Sequence, residues 1–404
     1  MKKNPRQFLL PFGIGRAIDR MRKEDERGIL YFMDYKANYY TLEKFTAALT
    51  KSGCSSFLAK SSEGGYLFGR NYDFCHYKLN QKTTPEESTG LIVVVRTANP
   101  RAKYKTLGVI DGFWLDNAKG TLFEGVPSDG VTDLTRFAMA PFIIMDGINE
   151  VGLVTSIMHL PTENDWQEVE YRDPESLDEK EKEIALIFEE SGKKPDRFDI
   201  KVKNHALAIN TADHLTWKAN KNLAVNQQEE GKATTLHPIL MRKMLDYCAN
   251  VEEAIAMAKT FNMKSPLPDN DYHIMLADRT GRSVILEWIN QELQVIEAAY
   301  GTNFYLGRED RYGYGHDRYE ILEKRFENSN ENSNGNSNEN SNELSNEMNS
   351  AEAMALLEKV AQNPFKKQFV GFTQWSGVYD LEKASLKLSV FLDYEKEYEY
   401  TIKN

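Results

Sequence analysis

Two short runs carry the side chains best suited to chemistry: Gly53-Cys54-Ser55-Ser56-Phe57-Leu58-Ala59-Lys60 and Gly69-Arg70-Asn71-Tyr72-Asp73-Phe74. Both read as strands. The residues between them, Ser61 to Gly65, read as a turn, which predicts a hairpin with a glycine-bearing loop. Cys54 opens one strand, and Arg70 and Asp73 close the other. A hairpin brings its open ends together, so a thiol, a guanidinium and a carboxylate can meet at one sheet edge as a reactive constellation. The plainer reading is a surface ion pair beside a buried thiol, and spacing alone favours it.

Other chemistries find less support. Fifty Lys and Arg face 61 Asp and Glu, a net charge of −11. An acidic chain without a basic block is a poor partner for phosphate backbones or anionic membranes. Three cysteines, at 54, 75 and 248, close no disulfide framework and fit no zinc spacing. Seven scattered histidines show no metal-ligand spacing, and each reads as structural. Gly13-Ile14-Gly15 is only a fragment of a dinucleotide fingerprint, and there is no phosphate loop or serine elbow. No cofactor or metal is expected. The N-terminus has signal-peptide charge but only a short apolar stretch, and no run suggests a bilayer span. The expected compartment is reducing and cytoplasmic.

The elements that must position these residues follow a strand-rich pattern. Further strands are expected at Leu91–Thr97, Leu107–Leu115, Val151–His159, Tyr272–Ala277, Ser283–Trp288 and Ser385–Leu392, the last with Leu386, Leu388, Val390 and Leu392 on one face. Helices are expected at Thr41–Leu49, Pro174–Glu190, Leu236–Asn250, Val251–Phe261 and Asp317–Phe326. Asn250 followed by Glu253 reads as a capping box. Ser329–Met348 repeats a Ser-Asn unit five times and reads as a solvated loop inserted within a domain. Hairpins beside helices predict a layered α+β architecture with antiparallel sheets.

Cys54 with Gly69-Arg70-Asn71 and Asp73 resembles the choloylglycine hydrolase group of N-terminal-nucleophile (Ntn) cysteine amidohydrolases. That group includes bile salt hydrolases, penicillin V acylases and the acyl-coenzyme A:6-aminopenicillanic acid acyltransferases. The resemblance spans residues 54–404 and continues at Asp146–Leu153, where Asn149 is taken as the functional position. It extends through a hairpin carrying Glu287, the Thr302-Asn303 pair, Asp317-Arg318-Tyr319 with Arg311 and Arg325 as rivals for a late arginine, and Thr373–Ser376. It implies a four-layer αββα sandwich with two stacked antiparallel sheets.

It also implies a nucleophile that is the first residue of the mature chain. Residues 1–53 would then be a propeptide, removed by autoproteolysis at Gly53-Cys54, and 54–404 the catalytic domain. An α-amine titrates at about 7.7–8.0 and a thiol at about 8.5, so a free amine beside its own thiol serves as base near neutrality without a histidine. By the same resemblance Arg70 favours the thiolate, Asp73 orients the α-amine, and Asn303 donates to the oxyanion. Asn149 supports the nucleophile region or the substrate, and Arg318 steadies the charges. The implied reaction is hydrolysis of a linear amide in a small N-acyl substrate. An acyltransferase using the same site, or an uncleaved non-catalytic protein, is the alternative. A papain-like peptidase is weaker, with no Gln before Cys54 and no credible His-Asn pair after it. The propeptide length and the Gly-Cys junction lean toward the acyltransferase-like branch. Family members are often homo-oligomers.

Overall fold

The structure, a computed structural model of the chain, describes residues 14–16, 21–40, 53–74, 91–112, 115, 134–161, 198–203, 206–211, 229–263, 270–290, 292–327, 347–362 and 372–403. In chain order the principal strands are β1 (Arg22–Lys23), β2 (Leu30–Tyr35), β3 (Gly53–Ser61), β4 (Tyr66–Phe74), β5 (Ile92–Thr97), β6 (Thr106–Asp111), β7 (Ile144–Asn149) and β8 (Val154–Pro161). Helices α1 (His237–Tyr247) and α2 (Val251–Ala258) come next, then β9 (Asn270–Ala277), β10 (Ser283–Ile289) and β11 (Glu292–Glu297). Helices α3 (His316–Glu327) and α4 (Ser350–Lys359) precede β12 (Phe372–Asp380), β13 (Ser385–Val390) and β14 (Tyr398–Thr401).

These strands form two large sheets. The first runs β1-β2-β5-β6-β7-β8-β9-β10-β11. The second runs β3-β4-β12-β13-β14, with Tyr300–Gly301 and Glu347–Met348 added along the outer edge of β3. Helix α1 packs on β7, β8 and β9 of the first sheet, and α4 packs on β4 and β12 of the second. Between the sheets, Trp375 stacks on Tyr72 with centroids 4.1 Å apart, and Ser56 and Ser156 hydroxyls meet at 2.9 Å. The result is the four-layer α+β sandwich expected. Within the two large sheets, two pairings depart from the antiparallel expectation: β2 runs parallel to β5, and Glu347–Met348 runs parallel to β3.

Local sequence explains the main elements. Val93, Val94 and Val95 are buried in β5, which suits β-branched side chains on a pleated surface. The Asn250 side chain accepts from the Glu253 amide, but the Glu253 carboxylate reaches Ala249, so only half of the expected box forms. Helix α4 carries the complete box, built on Asn349 and Glu352. Strand β13 ends at Val390, because Phe391 and Leu392 turn with φ of 55° and 63°. Leu392 therefore does not extend the apolar face as its spacing suggests.

The end of the Ser-Asn repeat departs from its reading as a loop, and the N-terminal segment joins the core. Residues 1–53 contribute β1 and β2 to the first sheet, and Leu30, Phe32, Met33, Tyr35 and Tyr39 join its core. Glu347 and Met348 close the Ser-Asn repeat, yet they form a strand and Met348 is buried. The rest of that repeat, Thr41–Leu49, Pro174–Glu190 and Cys75 lie outside the described residues.

Candidate active site

The β3–β4 hairpin sets the geometry. Phe57 pairs with Gly69, and its ring covers that glycine so closely that a Cβ there would sit 2.3 Å from Phe57 Cζ. Cys54 pairs with Tyr72 and Ser56 with Arg70, so Cys54 and Arg70 are diagonal neighbours on the face turned toward the first sheet. Arg70 Nη2 donates to Cys54 Sγ at 2.9 Å and to the Ile157 carbonyl at 2.5 Å. Its Nη1 has no hydrogen-bond partner among the described residues.

Asp73 lies three residues beyond Arg70 and therefore on the opposite face of β4. It does not join the thiol directly, as the hairpin alone suggests. A β-bulge in β12 between Thr373 and Trp375 sets Thr373 opposite Asp73, and the Thr373 hydroxyl donates to Asp73 Oδ1 at 2.5 Å. The other carboxylate oxygen accepts from Arg318 Nη1 at 3.1 Å. Burial pushes the Asp73 carboxyl above the ordinary carboxylate range, against the pull of Arg318 and Thr373.

Arg318, near the start of α3, links the two faces. Its Nη1 also donates to the Cys54 carbonyl at 2.5 Å, and Nη2 donates to Asn303 Oδ1 at 2.8 Å. The rival arginines lie elsewhere. Arg311 sits over the Phe304 and Tyr319 rings, and Arg325 donates to the Glu347 carbonyl. Asn303 Oδ1 accepts from the Cys54 amide at 2.6 Å, and its Nδ2 donates to the His159 carbonyl at 2.8 Å. Cys54, Arg70, Asp73, Asn303 and Arg318 thus form one buried network.

Asn149 stands apart from it. Its Oδ1 accepts from the Val151 and Leu153 amides, and its Nδ2 donates to the carbonyls of Leu245 and Cys248. It fastens the β7–β8 turn to the end of α1, with its polar atoms committed there.

Three residues that sequence reasoning passed over do reach the network. Asp146, in the same quoted stretch as Asn149, lies 3.6 Å from Arg70 Nε and accepts from Trp375 Nε1 at 3.0 Å and from the Tyr379 hydroxyl. A register shift in the β6–β7 pairing, after Val109 meets Asp146, accompanies this inward aim. Burial raises the Asp146 carboxyl, while Arg70 opposes that shift. Thr373 holds Asp73. His159 supplies the carbonyl that Asn303 holds, and its ring Nδ1 lies 2.9 Å from the Tyr314 hydroxyl. Asp146 and Thr373 lie within the stretches that carry the resemblance, but the register shifts that aim them carry no sequence signature.

Cys248 is a buried thiol 3.9 Å from the Met257 sulfur, and burial pushes it up to about 12, which keeps it unreactive. Among the described residues no His, Cys, Asp and Glu cluster fits a metal ion, and no helix is long and apolar enough to cross a membrane. No protein-family model matches the chain, and no curated protein matches it. It is similar to several solved structures at low identity. A variant of conjugated bile acid hydrolase from Clostridium perfringens is 15% identical, with 86% of this chain and 92% of that chain covered and a TM-score of 0.45. Penicillin V acylase from Agrobacterium tumefaciens is 13% identical, with 84% and 83% covered and a TM-score of 0.39. The Caenorhabditis elegans ortholog of N-acylethanolamine-hydrolyzing acid amidase is 12% identical, with 81% and 93% covered and a TM-score of 0.36.

Proposed function

We propose that this chain is a self-processing cysteine hydrolase of linear, non-peptide amides in small N-acyl substrates, with Cys54 as nucleophile. The observation that carries the reading is the triple hold on Cys54. Arg70 donates to its sulfur, Asn303 accepts from its amide, and Arg318 donates to its carbonyl. Any buried strand residue needs partners for its amide and carbonyl, but a merely structural thiol needs no guanidinium at its sulfur.

In the first step Cys54 Sγ attacks the Gly53 carbonyl carbon. The C–N bond breaks, the Cys54 nitrogen takes the proton, and a thioester remains. Water then releases a Gly53 carboxylate and restores the thiol. Gly53, without a side chain, leaves room for the sulfur to approach its carbonyl. The new α-amine stays at the Cys54 nitrogen position, held by Asn303, and serves as base for the same thiol. Arg70 favours the thiolate by charge. The substrate amide is then attacked in the same way: its amine leaves with a proton, and water or an amine acceptor resolves the acyl-enzyme.

The fragment 1–53 would not depart freely. Strand β2 is paired with β5 along its whole length, the Tyr39 hydroxyl donates to Asp246 at 2.6 Å, and Phe32 stacks on Tyr400. The mature protein on this reading is two chains held by one sheet.

Intact mass and N-terminal sequencing test the reading. The expected result is a chain beginning at Cys54 that co-elutes with the 1–53 fragment until denaturant separates them, and a Cys54→Ala protein that stays whole. Cleavage in Cys54→Ala, or a wild-type chain that stays whole and hydrolyses no N-acyl amide, overturns it. Product analysis with an added amine separates hydrolysis from acyl transfer.

A further inference from the structure

A second buried polar cluster lies behind Asn303, outside the network around Cys54. His273, on β9, has both ring nitrogens committed. Nδ1 lies 2.9 Å from Glu287 Oε1, and Nε2 lies 2.7 Å from the Thr302 carbonyl. A carbonyl only accepts, so Nε2 must carry a proton. Glu287, on β10, accepts from the backbone amides of Leu306 and Gly307 at 2.9 Å each, so both of its carboxylate oxygens already act as acceptors. With both Glu287 oxygens accepting backbone N–H groups, the Nδ1–Oε1 contact is best made by a proton on Nδ1 as well. Both side chains are fully buried.

We infer that His273 is a buried imidazolium paired with Glu287, and that this pair is the positioning device for Asn303. The juxtaposition is direct. His273 holds the carbonyl of Thr302, immediately before Asn303, while Glu287 holds the amides of Leu306 and Gly307, just after it. Asp271, on the same strand as His273, anchors the intervening residues through the Tyr305 hydroxyl at 2.9 Å. The other charged or titratable groups around the pair are His237 at the start of α1, 3.7 Å from Asp271, and Arg308 beyond Gly307, stacked over Tyr305. Burial drives the His237 ring down to about 3, so it adds no positive charge, and burial pushes the Asp271 carboxyl up to about 8, so it adds no negative charge at neutrality. Glu287 is therefore the anion that His273 meets. The polypeptide from Thr302 to Gly307 is clamped at both ends by one ion pair, which fixes where Asn303 Oδ1 meets the Cys54 nitrogen.

The significance of this clamp for catalysis rests on the function proposed above, but its test does not. The experiment uses the full-length Cys54→Ala protein, which keeps the backbone amide at position 54. Nitrogen-15 NMR of labelled histidines counts the ring protons, and hydrogen exchange reads the position-54 amide that donates to Asn303. The expected result is two N–H groups on His273 at neutral pH and one in Glu287→Gln, where the side-chain amide can donate to a neutral ring. Exchange at residue 54 should quicken about tenfold in Glu287→Gln and His273→Gln, the weight of about one hydrogen bond, while β5 amides keep their protection. If His273→Gln does not fold, Glu287→Gln carries the comparison. A single N–H on His273 in the parent protein, or unchanged exchange at residue 54 in the folded variants, overturns the inference. Failure of wild-type self-cleavage would instead strike the proposed function and leave these readouts standing.

Discussion

Replacing Arg318 by Met, in a Cys54→Ala background that keeps the chain intact, should expose the cost of the charge network. One guanidinium makes three contacts: 2.5 Å to the Cys54 carbonyl, 3.1 Å to Asp73 and 2.8 Å to Asn303. Methionine fills much of the volume and donates nothing. Asp73, fully buried, keeps only the Thr373 hydroxyl as a close donor among the described residues. The cheapest escape is for Asp73 to take up a proton. Holding a carboxyl of ordinary pKa about 3.9 neutral at pH 7 costs about 4 kcal/mol, which caps that part of the loss. The unpaired Cys54 carbonyl adds about 1–2 kcal/mol. The whole, about 5 kcal/mol, sits at the upper end of what breaking a buried ion pair costs.

The pH dependence separates this account from simple mispacking. In the variant the folded state holds a proton on Asp73 that the unfolded chain releases, so stability rises as pH falls. Each pH unit recovers about 1.4 kcal/mol, and the deficit should shrink by up to about 2.7 kcal/mol between pH 7 and pH 5. Urea unfolding at both pH values, for the parent, Arg318→Met, Asp73→Asn and the double variant, measures this. The double variant should regain about 2–3 kcal/mol relative to additivity and lose the pH dependence. A deficit below about 1 kcal/mol at pH 7, or one equal at both pH values, would refute the reasoning.

Other outcomes follow from the same geometry. Asn149→Ala should lower stability by about 2–3 kcal/mol, because it frees buried carbonyls at Leu245 and Cys248, yet leave the rate of self-cleavage in the folded protein unchanged; a cleavage defect in folded Asn149→Ala would return that residue to the site. Deleting residues 329–346 should leave the free energy of unfolding nearly unchanged, whereas extending the deletion through Met348 should lower it by about 2–4 kcal/mol, since that buried side chain belongs to the cluster under α3 and α4; equal values would show that the short strand contributes nothing. The Asp271 carboxyl, pushed up to about 8 by burial, keeps a proton in the folded state that the unfolded chain gives up near pH 4. Parent stability should therefore fall as pH rises from about 4 to about 8, and Asp271→Asn should flatten that slope. Parallel curves for the two proteins would contradict it.

Much of the fold is legible in the sequence because its strands advertise themselves locally. The Phe57–Gly69 pair, the valine run of β5 and the alternation of β13 each follow from short-range rules. Residues joined by long-range pairing are harder to place. β2 looks like an aromatic-rich run of uncertain fate, since nothing local announces a parallel partner at β5. In the site, hairpin geometry brings Cys54 and Arg70 together without assigning them a role, and that role, like the choice of Asn303 and Arg318, comes from a motif resemblance. Asp146 and Asn149 sit three residues apart in one motif, and only the sheet register reveals that the aspartate faces Arg70 while the asparagine holds a turn. His273 and Glu287 are fourteen residues apart, and nothing in their neighbourhood shows that both clasp the segment around Asn303.

Thr373 and Asp73 are separated by 300 residues, and their contact closes the network from the far end of the chain. On the ribosome, at about 5–20 residues per second, Asp73 waits about 15–60 s for that partner to emerge. Until then Asp73, which pairs with Arg318, lacks its second donor, and the network around the Gly53-Cys54 junction is incomplete. Bond scission on the proposed reading thus waits until β12 has emerged, and a chain truncated before β12 would keep its first 53 residues attached.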